Sequence, residues 1–353
     1  MRRLVNTFGE ARKVLFDRKR KSILRILYEL FDYGIRYKDF PKYYSKHMLH
    51  RKDANNYLDY YIGKKEFYKI RSLVTDKQLV PFLENKVLFY HHFKESDIKL
   101  PTYLGFNMGK AYFSFNGIKS IHDVNEFSTF IEELISRSGS ASIFIKPIDG
   151  FGGRDCLKID ANMLNTDYLA KSYNKISLSK YLFQETIIQH PDVSAIYPYS
   201  INTLRIHTCI YKSGQIGLVS TYMRFGSKGS YVEGGGLGTI YIDVDMNSGR
   251  LGPCARKNFE WGGDIYTHHP DTGYMFAGFE VPYLVDALKM AKSAAGFLPY
   301  RLVGWDIAIA EEGPILIEGN HNFGFWAAQM SDGGYKKNQA FKNFYEELTS
   351  RTR

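Results

Sequence analysis

The sequence predicts an α+β protein with a helical start, a strand-rich middle and a strand pair near the end. Three observations carry this. Apolar residues repeat at three-to-four spacing in residues 9–33 and again in 281–297, which is the helical period. Between residues 141 and 260, short β-branched or aromatic runs alternate with Gly-, Asn- and Ser-rich turns. Two apolar runs at 302–320 flank Glu311-Glu312-Gly313, a hairpin signal. A length of 353 residues suits two or three domains, and 27 Tyr with 25 Phe exclude a disordered chain.

Taken in order, residues 9–33 read as a basic amphipathic helix. Ile23, Leu24, Ile26, Leu27, Leu30 and Phe31 supply the apolar face, Arg18, Lys19, Arg20, Lys21 and Arg25 crowd its middle, and Gly34 marks its end. Residues 1–52 hold 15 basic and 5 acidic side chains, while the other 301 residues hold 32 of each, so the whole net charge of +10 sits in this segment. A general nucleic-acid binder would spread its charge differently, so no nucleic-acid partner is expected. One reading of the segment is docking on an anionic membrane surface or an acidic partner. The other is a helix packed on the next domain with a solvated basic face.

Residues 36–72 stay basic and Tyr-rich and extend the helical module. A further helix opens near residue 75, with Thr75 or Asp76 as its N-cap, and others cover 122–137, 281–297 and 336–348. No apolar run approaches the roughly 18 residues of a membrane span. The N-terminus also lacks the features of a signal peptide. A soluble cytoplasmic protein is expected, with peripheral attachment to the inner membrane face under the docking reading. Cys156, Cys209 and Cys254 are odd in number and widely spaced, which fits neither a disulfide framework nor a zinc site.

Four stretches carry chemistry. In Ser142-Ile-Phe-Ile-Lys146-Pro-Ile-Asp-Gly150-Phe-Gly152-Gly153-Arg154, an apolar strand ends at a lysine and enters a glycine-rich turn. Such a turn lets backbone N–H groups cradle phosphate while the lysine adds a point charge, although an ordinary hairpin has the same outline. Gly105-Phe-Asn-Met-Gly109-Lys110 misses the P-loop spacing and Gly234-Gly-Gly236-Leu-Gly238-Thr239 misses the dinucleotide spacing, so both are read as turns. Tyr181-Leu-Phe-Gln184-Glu185-Thr-Ile-Ile188 runs from an apolar strand through a polar pair into an apolar pair. This is either a hinge able to hold a purine or an amphipathic strand end. Arg205, in Ser200-Ile-Asn-Thr-Leu-Arg205-Ile-His207, offers a guanidinium fork for a phosphate or carboxylate, or else a structural ion pair. His268-His269-Pro270 reads as a loop.

The fourth stretch is the most informative. Pairing Trp305–Ala310 with Pro314–Asn320 about Glu312 sets Asp306 directly across from Glu318, with Asn320 one step on along the same face. Trp305, Ile307, Ile309, Ile315 and Ile317 then fall on the core face. Cross-strand Cβ atoms lie about 4.5–5.5 Å apart. Two carboxylates that close repel unless a cation lies between them, and oxygen donors suit Mg²⁺.

Together and in this order, these stretches resemble the ATP-grasp superfamily of carboxylate–amine ligases over roughly residues 73–330. Gly304-Trp-Asp306 through Glu318-Gly-Asn320-His-Asn-Phe-Gly324 is most similar to the sugar-transfer-associated branch, related to teichuronopeptide-biosynthesis proteins. The resemblance implies two α+β subdomains sandwiching ATP behind an N-terminal basic helical extension. The divisions are 1–72, 73–190 and 191–353, the last carrying the metal site. It implies Lys77 and Lys146 as the ATP lysines, and Gly150, Gly152 and Gly153 in a mobile loop over the phosphates. It places Glu185, beside Gln184, on the adenine amino group, the Ile188 backbone on the ring, Asp192 on the ribose and Arg205 beside the γ-phosphate. Asp306, Glu318 and Asn320 are the implied magnesium ligands, with Glu318 bridging two ions.

The implied activity joins a carboxylate, on a sugar of a surface polysaccharide or its precursor, to an amine such as an amino acid through an acyl phosphate. Residues 1–52 would then meet a membrane or a glycan-assembly partner. The alternatives are a nucleotide-binding module of a glycan-assembly complex without catalysis, and a phosphotransferase acting on a hydroxyl.

Overall fold

The computed structural model describes residues 11–38, 44–54, 62–150, 152–164, 166–229 and 238–350. Two antiparallel sheets dominate. The first has strand order β3-β2-β1-β6-β4-β5, built from β1 (Tyr103–Met108), β2 (Ala111–Ser114), β3 (Gly117–Ser120), β4 (Ser142–Pro147), β5 (Leu157–Asp160) and β6 (Tyr181–Glu185). Side chains alternate along a strand, so each strand of a half-covered sheet has two chemistries. Ile143, Ile145 and Phe183 are buried against Phe127, Phe130 and Leu134 of the helix Val124–Ser138. Phe144, Lys146 and Gln184 face the other way, into a cleft. Asp123 caps that helix, its Oδ1 accepting from Asn125 N at 2.8 Å and Glu126 N at 2.9 Å.

The second sheet has order β11-β10-β9-β8-β7-β12-β13, from β7 (Thr203–Ile210), β8 (Ile216–Phe225), β9 (Ile240–Asp243), β10 (Ala255–Lys257), β11 (Ile265–Tyr266), β12 (Leu302–Ala310) and β13 (Gly313–Asn320). Leu204, Ile206, Trp305, Ile307 and Leu316 form its core face with alanines of the helix Leu284–Phe297. Thr203, Arg205 and Asp306 lie on the opposite face and line the same cleft. The expected helices at 122–137, 281–297 and 336–348 appear as Val124–Ser138, Leu284–Phe297 and Gln339–Thr349.

Three expectations change. Residues 11–16 are helical, but the chain breaks after them, and a second helix, α1 (Ile23–Tyr37), begins behind Ser22, whose side chain accepts from Arg25 N. Residues 9 and 10 lie outside the described residues. The break is held by distant partners: Asp17 pairs with Arg51 at 2.7 Å, and Lys21 N donates to His50 O at 2.8 Å. Gly34 lies inside α1, which closes at Lys38 with φ 47°. Thr75 is a C-cap rather than an N-cap. It ends α2 (Lys64–Val74), and Asp76 then makes a turn before α3 (Val80–Glu84) and α4 (Lys86–Phe93).

Of the two glycine decoys, Gly105 lies within β1 and Gly109 makes the turn to β2. Gly234–Gly236 fall outside the described residues. His269 is buried in its loop, its Nε2 2.9 Å from Gly226 O and its ring stacked on Tyr197.

The N-terminal segment packs on the C-terminal half of the chain. Arg51 donates to Gly263 O at 2.6 Å, Ile62 N to Gln329 Oε1 at 3.1 Å, and Arg71 to Phe323 O at 2.8 Å. These contacts come from residues 51–71. The outer face of α1 takes no part in them: Leu24 is 80 % exposed and Phe31 is 69 % exposed.

Candidate active site

The cleft between the two sheets encloses a cavity of about 210 Å³. Its lining holds five cations (Lys86, Lys146, Arg154, Arg205, Arg224) and two carboxylates, Asp306 and Glu318. A net positive cleft with glycines on one wall is suited to a polyanion.

The acids stand on the last hairpin. Asp306 pairs with Glu318, Trp305 with Gly319 and Gly304 with Asn320, which is the expected register. Nearer the turn the register differs by one, with Ala308 opposite Ile315 and Ala310 opposite Gly313. A bulge between Asp306 and Ile307 absorbs the difference. A one-residue bulge reverses the facing of every side chain on one side of it. Ile315 and Ile317 therefore leave the core face predicted for them, and Leu316 takes the buried position. Ile317 and Glu318 then both line the cleft. Ile315 and Ile317 join Ile187, Ile201, Ala308 and Ala310 in a small apolar cluster at one end. That cluster gives the cleft an apolar floor beside its charged end.

At the charged end, Arg205 forks onto Asp306, its Nε on Oδ1 and a terminal nitrogen on Oδ2 at 2.8 Å. Arg224 reaches Asp306 Oδ2 at 2.8 Å. The ion-pair reading of Arg205 is thus realised, inside the same cleft that the phosphate reading requires. Burial opposes ionisation of Asp306, but the two guanidiniums outweigh it and hold the carboxyl well below the usual range. Gly304 makes room for this arrangement, since a Cβ there would sit 2.8 Å from His207 Cδ2 and 3.2 Å from Arg205 Cδ. Asn320 Nδ2 donates to Glu318 Oε1 at 3.1 Å and Asp306 Oδ2 at 3.3 Å, so the three expected ligands converge. Two carboxylates and a carboxamide, whose oxygen faces the same point when the amide is turned over, form an oxygen-only set that fits Mg²⁺.

Lys146, next to the last residue of β4, lies in the cleft and is 6 % exposed. Burial pulls its ammonium down to about 8, and Lys86 adds to the effect. Lys86 is the residue that sequence reasoning missed. It opens α4 behind the N-cap Asn85, and its Nζ donates to Gly150 O at 2.6 Å. Lys77, expected in this role, is exposed in the turn before α3 and does not line the cleft. The signal was Asn85, an N-cap that starts a helix with Lys86 aimed back at the loop. Gly150, Gly152 and Gly153 line the cleft, the last two at φ 66° and 67°, where glycine alone is unstrained. Lys86→Ala is expected to weaken nucleotide binding about ten- to hundredfold, the worth of a charged hydrogen bond, and Lys77→Ala to leave it unchanged. Titration with a fluorescent ATP analogue checks both, and the opposite ranking would restore Lys77.

At the apolar end, strand alternation reassigns the hinge. Gln184 and Thr186 face the cleft, as does Ile187. Glu185 faces away and accepts from Thr102 N at 2.8 Å. Ile188 is 72 % exposed and lies outside the cleft lining. Asp192, in the short helix Pro191–Ile196, points to solvent with its side chain 68 % exposed. Glu185, Ile188 and Asp192 are therefore not brought to the cleft, and Gln184 with Ile187 stand there instead. Cys156 also lines the cleft, but burial pushes its thiol up to about 11, so it is no activated nucleophile.

A second cavity, of about 220 Å³, lies beside the segment that follows β13. Its walls are Tyr68 and Arg71 from α2 and Asn322, Phe323 and Trp326 from the segment after Asn320. Phe323 stacks on His207, ring centroids 4.1 Å apart, and His207 shares its face of β7 with Arg205. The cavity thus lies on the same face of the sheet as Arg205, beyond the arginines. Among its lining residues Arg71 carries the one full charge, because burial holds His47 neutral, down to about 3.

Among solved structures, the D-cycloserine synthetase DcsG is 10 % identical, with 79 % of this chain and 74 % of that one covered at a TM-score of 0.48. D-alanyl-alanine synthetase A from Vibrio cholerae O1 biovar eltor is 12 % identical over 77 % and 66 %, at 0.46. The ATP-grasp ligase PsnB, complexed with minimal precursor, is 12 % identical over 79 % of this chain at 0.42, and the chain spans 63 % of PsnB. No curated protein matches the chain. The profile that describes sugar-transfer associated ATP-grasp proteins matches residues 68–343, from α2 through both sheets and the hairpin of Asp306 and Glu318. The chain belongs to the sugar-transfer associated ATP-grasp family.

Proposed function

We propose that this chain is an ATP- and Mg²⁺-dependent ligase that joins a carboxylate to an amine through an acyl phosphate. The carboxylate is a uronic acid or other acid of a surface polysaccharide or its precursor, in keeping with the family's sugar-transfer association. The amine is one such as an amino acid. The observation that carries the reading is the convergence in one cleft of two lysines, three arginines, a glycine loop and an oxygen-only ligand set. Phosphoryl transfer needs positioning and neutralisation of charge more than covalent help, and these groups provide both.

In this reading Lys86 and Lys146 hold the phosphates, and Arg205 and Arg224 face the phosphoryl group as it moves. The γ-phosphoryl passes to a carboxylate oxygen and ADP departs. The amine attacks the acyl carbon, phosphate leaves with the C–O electron pair, and the amine proton goes to solvent. Asp306, Glu318 and Asn320 would hold magnesium, as two ions, which would supply charge neutralisation for the phosphate oxygens. The glycine loop covers the phosphates and keeps water from the acyl phosphate. Gln184 and the apolar cluster hold the adenine, and the second cavity takes the body of the acceptor, with Arg71 on an acidic group. Residues 1–52 keep the enzyme beside an anionic membrane surface or a glycan-assembly partner on the cytoplasmic side.

Hydroxylamine trapping tests this. Protein, Mg-ATP, hydroxylamine and a panel of uronic acids and uronate oligosaccharides should give an ATP-dependent hydroxamate detectable by mass. A phosphorylated sugar without hydroxamate would mean transfer to a hydroxyl. Neither product, with Mg-ATP still bound, would leave a nucleotide-binding module.

A further inference from the structure

We infer that α1 is a membrane-docking face, which lays its outer stripe into the headgroup region of an anionic bilayer. This commits the placement of residues 1–52 proposed above to one surface and one occupant. The helix has two apolar sides. The inner one, Ile26, Leu30 and Tyr33, packs on Tyr44 and Leu49. The outer one presents Leu24, Leu27, Phe31 and Ile35 to solvent, each at least 56 % exposed. Their spacing of three and four residues sets them in one row along the helix. Eight of the 23 exposed large apolar side chains of the described residues fall between Leu15 and Ile35, so the exposure is concentrated there rather than scattered.

Charge selects the occupant. Arg25 and Arg36 are exposed on this helix and Lys38 at its C-cap, and Arg12, Lys13 and Lys19 are exposed on the residues before it. The three acids of residues 11–38 are largely withdrawn from solvent, Asp32 taking Arg36 at 2.6 Å. Glu29 is fully buried and takes Lys21 at 3.0 Å, Arg25 at 2.8 Å and the Tyr44 hydroxyl at 2.6 Å. The side chains of Asp17 and Asp32 are only 10 % and 15 % exposed. What remains outside is an apolar row set among cations. That is the composition of a helix lying in an anionic bilayer interface, where stems and rings enter the acyl boundary and cations meet lipid phosphates. A second copy of this face would bring cations against cations across the contact. No helix of the described residues is long and apolar enough to cross a membrane, so the contact is interfacial.

The test uses the full chain and vesicle sedimentation. Wild-type protein should bind phosphatidylcholine vesicles carrying about one third phosphatidylglycerol, bind pure phosphatidylcholine far less, and release as salt is raised. The double variant Leu24→Gln with Phe31→Gln replaces two outward side chains by good helix formers, so the fold is retained. Its vesicle affinity should fall about a hundredfold. Nucleotide binding by the same variant should be unchanged, which separates this inference from the ligase reading. Wild-type protein that ignores anionic vesicles, or a variant that binds them equally well, overturns the inference. So does a concentration-dependent dimer that the double variant abolishes, because a second copy would then be the occupant.

Discussion

Glu318→Ala is expected to reduce turnover about a thousandfold or more while leaving the thermal midpoint close to that of the wild type. The rate effect follows from position. Glu318 stands across β12 from Asp306 and shares Asn320 with it, so its loss takes a carboxylate from the one oxygen-only ligand set in the cleft. Removing a single group that stabilises transition-state charge costs about 10²–10³ in rate, and a ligand that also holds a cation belongs at the upper end. Stability should hold because Glu318 is only half-buried, and among the described residues the arginines of the cleft pair with Asp306 instead. Its removal also relieves repulsion with Asp306. Steady-state turnover and a thermal scan on the same sample check this. A folded variant with wild-type turnover would sink the metal assignment.

The hairpin of Asp306 and Glu318 was legible, but its register came out right only through a bulge. The turn pairs Ala310 with Gly313, one residue out of step with counting outward from Glu312, and the shift between Asp306 and Ile307 then sets Asp306 across from Glu318. The same counting failed between Ile307 and Ile317, because a bulge cannot be read from a run of β-branched residues. Its consequence is substantial, since it turns Ile315 and Ile317 from core into cleft floor. Strand alternation was available at Gln184-Glu185 and points to Gln184, but motif resemblance favoured the acid. Lys77 and Lys86 lie in similar apolar-polar texture. Only Asn85 as an N-cap distinguishes them, and a cap is one residue of evidence. The N-terminal helix was predicted as one piece because its break depends on Asp17 meeting Arg51 and His50, 34 and 33 residues away. Local periodicity carries no trace of such contacts. The withdrawal of Glu29, Asp17 and Asp32 from the surface is equally invisible in a charge count.

Asp306→Ala should behave differently from Glu318→Ala although the two acids are neighbours on one face. Asp306 is 3 % exposed and anchors two guanidiniums, Arg205 and Arg224, whose side chains are 8 % and 15 % exposed. Removing the carboxylate leaves both cations buried beside each other without it. Breaking a buried pair from one side costs about 3–5 kcal/mol, because the remaining charge keeps its desolvation penalty and loses its compensation. A fall of that size in unfolding free energy by urea titration is the expected result, together with loss of turnover. Asp306→Asn retains one oxygen for Arg205 and should lose less.

The sign with pH follows from the depressed carboxyl. The Asp306 contribution is fully present above the ordinary aspartate value of about 3.9 and fades only as pH falls through its lower folded value. The gap between wild type and Asp306→Ala should therefore stay constant from neutral pH down to about 4. The contrast between the two variants separates two roles that motif matching merges. Under the proposed function Glu318 would serve chemistry at no cost to the fold, whereas Asp306 would serve chemistry and also hold Arg205 and Arg224 in place. Equal stability of the two alanine variants would mean that the arginines find other anions, and Asp306 would then keep only its ligand role.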